Sequence, residues 1–364
     1  MSILSALGAA VLFGLSTPLA RQWVQDMSAW YLAGLLYLGS ALGLMGLMGL
    51  CSWQGRSGFQ VALSGREWPC LAGAIACGGV AGPVLLMLGL AQMGAAQASL
   101  LLNLEGVLTA LVAWVVFKEN TDRRMVLGMA LIVAGAFVLS WPTTAPIGGT
   151  GTSITSITGI TGSWLIAAAC LCWALDNNLT RQVAHADAKV IAGIKGGCAA
   201  VVNLALAQVL GHNAPSWTAA SCVMLIGFAG YGISLVLFVV ALRGLGAART
   251  GAYFGIAPFV GALVAILVFG ESPTPLFWTA GLLMGIGVWL HLTEHHAHSH
   301  QHTLLHHNHP HRHDEHHLHS HPADTVPGTF QTPPNATHTH PHTHAPLCHS
   351  HPHYPDIHHR HEHS

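Results

Sequence analysis

The sequence predicts an all-α integral membrane protein: ten transmembrane helices arranged as two inverted five-helix repeats. Three observations carry this reading. Of 364 residues, 52% are hydrophobic and only 7% are Asp, Glu, Lys or Arg, against about 25% charged in an ordinary soluble domain. A membrane-length apolar stretch recurs 152 residues further along the chain. Lys and Arg crowd onto one side of the connections between apolar runs, as the positive-inside rule expects.

Taking about 20 apolar residues per crossing, the spans fall at 3–22, 29–51, 68–91, 97–117, 124–141, 163–184, 189–210, 221–242, 249–269 and 274–292. The first repeat is then 1–141 and the second 163–293. Five spans per copy is an odd number, so the second copy enters the membrane upside down relative to the first. Between them, 142–162 is uncharged and rich in Gly, Thr and Ser, the composition of a flexible linker, here on the outer side. With the N-terminus inside, the inner connections hold Arg56, Arg66, Lys118, Arg123, Arg124, Arg181, Lys189, Arg243 and Arg249, and the outer side holds only Arg21. Both termini are therefore expected in the cytoplasm and the body in a bacterial inner membrane. The first run lacks a preceding basic region and continues past Pro18 as part of the repeat, so it is expected to stay in the mature chain.

The formal net charge of −1 joins two unlike parts, an apolar body and a tail that holds 25 of the 28 histidines. No basic body points to a nucleic acid partner. Cys51, Cys70, Cys77, Cys170, Cys172, Cys198 and Cys222 lie in or beside apolar runs without paired spacing, and read as reduced packing residues. From 294 to 364 the apolar periodicity ends, and the tail is expected to be disordered without a ligand.

The recurring stretch runs from Gly94 to Glu119 and again from Gly246 to Glu271, with 10 of 26 positions identical. Chance would match roughly one in ten. A second alignment sets Ala9–Gln22 on Ala169–Gln182, matching Ala9/Ala169, Leu15/Leu175, Leu19/Leu179, Arg21/Arg181 and Gln22/Gln182. The copies part company where Glu105 and Gly106 of the first face Ala257 and Pro258 of the second. Function is expected at that asymmetry. Glycine pairs such as Gly39/Gly43, Gly78/Gly82 and Gly281/Gly285 have the small-xxx-small spacing of close helix contacts.

Charges inside hydrocarbon are costly and are usually paired or functional. Three stand out. Asp176 and Lys195 sit at nearly equal depth on either side of the turn near Ala186, so they can either pair and lock the hairpin or act in binding or gating. Glu105 has no such neighbour in sequence. It can exchange a proton during transport, hold a cationic substrate, or simply hydrogen-bond to the next helix. Asn103, Asn177, Asn178, Tyr231 and Tyr253 are candidates for polar contacts in a central cavity, while Pro18 and Pro258 free carbonyls within their helices. Glu119 and Glu271 end their helices and are expected to cap or pair at the repeat boundary. His185, His212 and His291 lie at span ends and read as solvated or interfacial.

In the tail, His338, His340, His342, His344, His349, His351 and His353 alternate imidazoles with other residues, so a flexible chain can gather several ring nitrogens on one Ni, Co, Zn or Cu ion. No span contains a comparable ligand cluster: Cys170 and Cys172, two apart, point to different helix faces. With no nucleophile–base arrangement or phosphate loop, the chain does not read as an enzyme, and no cofactor is required. The expected partners are the lipid bilayer, a small-molecule substrate and divalent metal at the tail, with a homodimer left open.

Residues 3–292 resemble the EamA-type transporters of the drug/metabolite transporter superfamily. The likeness lies in ten spans, two five-span units and a fourth span in each that closes on an acid, with Pro258 and Phe269, Gly270 and Glu271 nearest the family pattern. The first copy departs from that pattern, with Lys118 where a glycine is expected and Glu105–Gly106 in place of Ala–Pro. The resemblance implies a carrier that works by alternating access, often outward, and leaves the solute open. An exporter of a small organic metabolite or drug is the favoured function, with a divalent metal transporter fed by the His-rich tail as the alternative.

Overall fold

A computed structural model describes residues 2–53, 65, 67–117, 123–141, 155–182, 188–245 and 247–293, together with the backbone of 297–302, 305–311, 338–344 and 347–352. The chain divides into two units, Met1–Glu294 and His295–Ser364.

Every regular element described in the first unit is a helix. Bonds within a helix satisfy the backbone where no water can. In order come α1 (Ser2–Arg21), α2 (Ala29–Trp53), α3 (Trp68–Ala74), a π-helical turn π1 (Ile75–Ala81) and α4 (Gly82–Leu90). They are followed by α5 (Ala95–Leu101), α6 (Leu104–Phe117) and α7 (Arg123–Leu139). Next are α8 (Thr155–Gln182), α9 (Ala188–Val209), α10 (Trp217–Gly227), a second π turn π2 (Phe228–Ile233) and α11 (Ser234–Leu245). The unit closes with α12 (Ala247–Phe254), α13 (Ala257–Leu267) and α14 (Pro275–Leu292). Among the described residues, seven helical stretches are long and apolar enough to cross a membrane: Ser2–Arg21, Ala29–Leu47, Trp68–Leu90, Ala95–Val116, Ile160–Thr180, Ile191–Val209 and Trp217–Phe238. The other three expected spans fall on α7, on α12 with α13, and on α14.

Two spans expected to be continuous helices are broken. The fourth is interrupted at residues 102–103, between α5 and α6, and the ninth at 255–256, between α12 and α13. In the ninth the cause is Pro258, which has no N–H and sits at the start of α13. In the fourth, where no proline stands, the Asn103 amide donates to Leu100 O at 2.9 Å, a local bond of the kind that competes with helix.

The third span holds together differently. Pro83 offers no N–H, so the helical donor is missing both for Gly79 O, four residues back, and for Gly78 O, five back. Side chains from three other helices fill in. Tyr37 Oη of α2 and Trp173 Nε1 of α8 donate to Gly78 O at 2.9 and 3.0 Å, and Asn203 Nδ2 of α9 donates to Gly79 O at 2.9 Å. A defect in one helix thus becomes the point at which four helices are fastened.

The core is a large apolar cluster that includes Leu32, Leu36, Leu86, Met87, Leu90, Leu100, Leu101, Ile132, Ile166 and Met284, with a smaller one around Leu71 and Ile191. Helices α7 and α14 pack along each other, as do α2 and α9, α4 and α8, and α1 with α11 and α13. Glycine makes a further close approach possible, between α2 and α10: a Cβ on Gly39 of α2 would strike Met224 O, and one on Gly227 of α10 would strike Leu36 O. Trp68, Trp141, Trp164 and Trp217, all near span ends, are exposed, as rings at a membrane–water boundary are.

In the second unit, where the sequence pattern predicts disorder, the described backbone is paired. β1 (Ala297–His302) runs antiparallel to β4 (Leu347–Pro352), and β2 (Leu305–His311) to β3 (His338–His344). The register sets His300 opposite His349 and His309 opposite His340. Alternation of His with other residues has the two-residue period of a strand, which is the physical opening for this pairing. His353 and the rest of the tail, residues 142–154 of the linker expected at 142–162, Glu119 and His185 lie outside the described residues, as do the tail side chains expected to bind metal, while 155–162 of that linker form the start of α8 instead.

Candidate functional site

Of the polar residues singled out in the sequence, Glu105, Asp176, Asn177, Asn178 and Lys195 come together on or against α8. On one face of this helix Trp164, Leu171 and Leu175 form an exposed apolar stripe, as a surface against lipid would. Asn177 lies about 200° around the helix from Leu175 at 100° per residue, and it too is exposed. The exposed Asn177 amide thus lies on the side of α8 away from the apolar stripe.

Glu105, in the first turn of α6, faces that amide. Its Oε1 accepts from Asn177 Nδ2 at 2.9 Å, and the same amide reaches Thr109 Oγ1 at 3.4 Å. Among the described residues no cation pairs with Glu105. Placement at the start of α6, just after the break, puts the carboxylate at the positive end of a half-helix dipole. Beside it Gly106 is exposed, with open space where a Cβ would go. Asn178, next along α8, is buried and bridges Ala174 O at 2.8 Å and Thr109 O at 3.3 Å.

Asp176 and Lys195 pair as their depths allow. Lys195 Nζ of α9 lies 2.5 Å from Asp176 Oδ1 and donates to Thr180 Oγ1 at 3.0 Å, while Thr180 Oγ1 donates to Asp176 Oδ1 at 2.9 Å. Both side chains are largely buried. The aspartate is pressed against π1, since a Cβ on Gly78 would strike it. The pair joins α8, α9 and the third span.

Aromatic rings form a wall. Tyr231 of π2 packs on Phe13 at a centroid distance of 5.8 Å and on Tyr37 at 5.5 Å, and Phe13 meets Phe254 of α12 at 5.2 Å. Tyr253 is half-buried on α12, and Ile256 N donates to its carbonyl at the break. Asn103 is not part of this grouping. It is buried, its amide taken by Leu100 O and 4.0 Å from Met284 Sδ of α14. His291 is half-buried with its Nε2 3.1 Å from Met125 O, and His212 is exposed.

Beyond the far end of α13, Gly270 adopts φ 69° and Glu271 N donates back to Ala265 O at 3.2 Å, so the chain turns sharply away from the helix axis. This turn aims the Glu271 carboxylate at the start of α5, where Oε1 accepts from Ala95 N at 2.7 Å and Oε2 from Ala96 N at 2.9 Å.

A family model described as the EamA-like transporter family matches residues 1–141 and 160–293. The chain belongs to this family. This EamA-like chain is thereby a multi-pass membrane protein grouped with transporters rather than with enzymes. It is 29% identical over 217 residues to an uncharacterized transporter of Methanothermobacter thermautotrophicus, covering 58% of this chain. It spans 60% of the length of that relative. A solved crystal structure superposes with a TM-score of 0.57 at 18% identity, covering 80% of this chain and 98% of the other, a likeness of fold.

The residues that sequence reasoning missed are Tyr37, Trp173 and Asn203, which surround the Gly78 and Gly79 carbonyls. Their signal was indirect: Pro83 inside an apolar span announces two carbonyls in need of donors, without saying which side chains supply them. Among the described residues no group of three or more His, Cys, Asp or Glu could hold a metal ion.

Proposed function

We propose that this EamA-like chain is a carrier that exports a small organic metabolite or drug by alternating access, with Glu105 in its substrate path. The observation that carries the reading is the Glu105 carboxylate, held on one oxygen by the exposed Asn177 amide at 2.9 Å and paired with no cation among the described residues. A further feature supports it. Transporters of many folds bind at interrupted helices near the middle of the membrane, and here the fourth and ninth spans break at matching places. The proposal takes ten spans in two inverted five-span repeats, both termini in the cytoplasm of a bacterial cell, and the His-rich tail as an accessory that gathers Ni, Co or Zn.

The experiment is transport into inside-out vesicles. A panel of organic solutes and divalent metals is offered to the full chain, to Glu105→Gln and to a chain ending before His295. An organic solute should be taken up by the first and third and not by the second, and removing the tail should abolish most metal binding. That binding should weaken as pH falls through about 6.5, because a protonated imidazole cannot ligate. Metal uptake that survives tail removal and is abolished by Glu105→Gln would overturn the reading in favour of a metal transporter.

A further inference from the structure

We propose that the second unit binds divalent transition-metal ions of the Zn²⁺ type between its strands, one in each of two ladders of directly opposed histidines. This rests on the tail as a gatherer of metal, and it adds which histidines share an ion.

Where β1 pairs with β4, His298 stands opposite His351 and His300 opposite His349. Where β2 pairs with β3, His307 stands opposite His342, His309 opposite His340 and His311 opposite His338. Alternate residues of a strand share a face, so each ladder lies on one face of its strand pair. The positions between hold other residues: Ser299 is opposite Ser350, Gln301 opposite Cys348 and Asn308 opposite Pro341. A slip of one residue in either direction breaks all of these histidine pairs. It sets His300 against Ser350 or Cys348, and His309 against Pro341 or Thr339.

The prolines obey the same frame. Pro310 and Pro341 fall between histidine pairs, where a strand's N–H can point away from its partner and a missing donor costs the ladder nothing. The histidine pairs beside them are then the hydrogen-bonded ones, about 5.5 Å apart at Cα. Successive pairs follow every two residues, about 6.7 Å along the strand. Two adjacent pairs thus set four histidines at the corners of a small rectangle on one face.

That arrangement suits one kind of ion. Four imidazole nitrogens complete a tetrahedral set, with bonds of about 2.0–2.1 Å. Hard cations such as Ca²⁺ and Mg²⁺ want oxygen ligands, which the ladders lack. The membrane-spanning unit offers no group of three metal ligands among its described residues. The first ladder has two pairs and none to spare, whereas the second has three and can lose an outer one. Because each ion needs both strands, binding also holds the strands in register.

The test uses the full chain in lipid nanodiscs, loaded with Zn²⁺ against nitrilotriacetate, desalted and assayed for zinc retained per chain. The full chain should retain two ions and a chain ending before His295 none. Three double variants each remove two tail histidines. His300→Ala with His349→Ala should retain one ion. His311→Ala with His338→Ala should retain two, and so should His302→Ala with His306→Ala, whose residues stand opposite Leu347 and Thr343. Thermal melting of the membrane-spanning unit establishes that each variant is intact. Any other ranking of the three double variants overturns the ladder assignment while leaving the tail a metal binder. Equal retention by the full and the shortened chain overturns the ladders and the metal-gathering tail together.

Discussion

Helix α6 meets α8 along a polar seam, and helix α13 meets α1 along a dry one, although α6 and α13 both begin just after a break in their span. In the first seam Glu105 and Thr109 face Asn177 and Asn178. In the second, a Cβ on Gly14 would strike Ala257 O and come within 3.0 Å of Val260 Cβ, and one on Gly261 would come within 2.8 Å of Gly14 O. One seam is lined by side chains that offer hydrogen bonds and by the exposed Gly106. The other is closed by main chain against main chain. The difference teaches that a broken helix does not by itself make a binding site. It takes groups that a solute can meet, and only one seam has them.

The largest expected effect lies in the dry seam. Gly14→Leu has nowhere to place its side chain except into the α13 backbone, so the folded protein should be lost, seen as absence of a monodisperse peak for a fluorescent fusion in detergent. Thr109→Ala in the polar seam removes only a 3.4 Å contact, worth at most about 1 kcal/mol, and should leave the peak intact. Equal tolerance of both changes would break the comparison.

Next in size is the ion pair that fixes α8 behind the polar seam. Asp176→Asn or Lys195→Met alone leaves one largely buried charge without its partner, at a cost on the order of 3 kcal/mol. The double change should be better tolerated than either single one. Melting temperatures of the three variants would sink the idea if the losses simply added.

The smallest effect concerns the end of α13. Gly270 holds φ 69°, a conformation costing a non-glycine residue about 1 kcal/mol. Gly270→Ala should lower the melting temperature by about 2–4 °C. A rise would mean that the turn is not held as described.

Much of this was legible in the sequence because it depends on local chemistry. An acid in an apolar span marks Glu105, and equal depths on a hairpin bring Asp176 and Lys195 within reach. Pro258 warns of a freed carbonyl. The break before Glu105 was hidden, because nothing distinguishes Asn103 in sequence from a polar residue reaching into a cavity. Its amide instead bonds its own helix, three residues back. The fastening of Gly78 and Gly79 was hidden for the opposite reason. Tyr37, Trp173 and Asn203 come from separate helices, 41, 95 and 124 residues away, and only the packed fold brings them together.

The bond between Glu271 and the start of α5 is made to main-chain amides, and that sets how the two positions can drift over evolutionary time. Every residue but proline brings an amide to positions 95 and 96, so the donors survive almost any substitution that the packing tolerates. Position 271 has no such latitude. Aspartate is one methylene too short, and glutamine keeps the length but gives up the second acceptor. A lineage could therefore rewrite one partner many times while the other stays fixed, and the contact would leave no trace of paired change for an alignment to find.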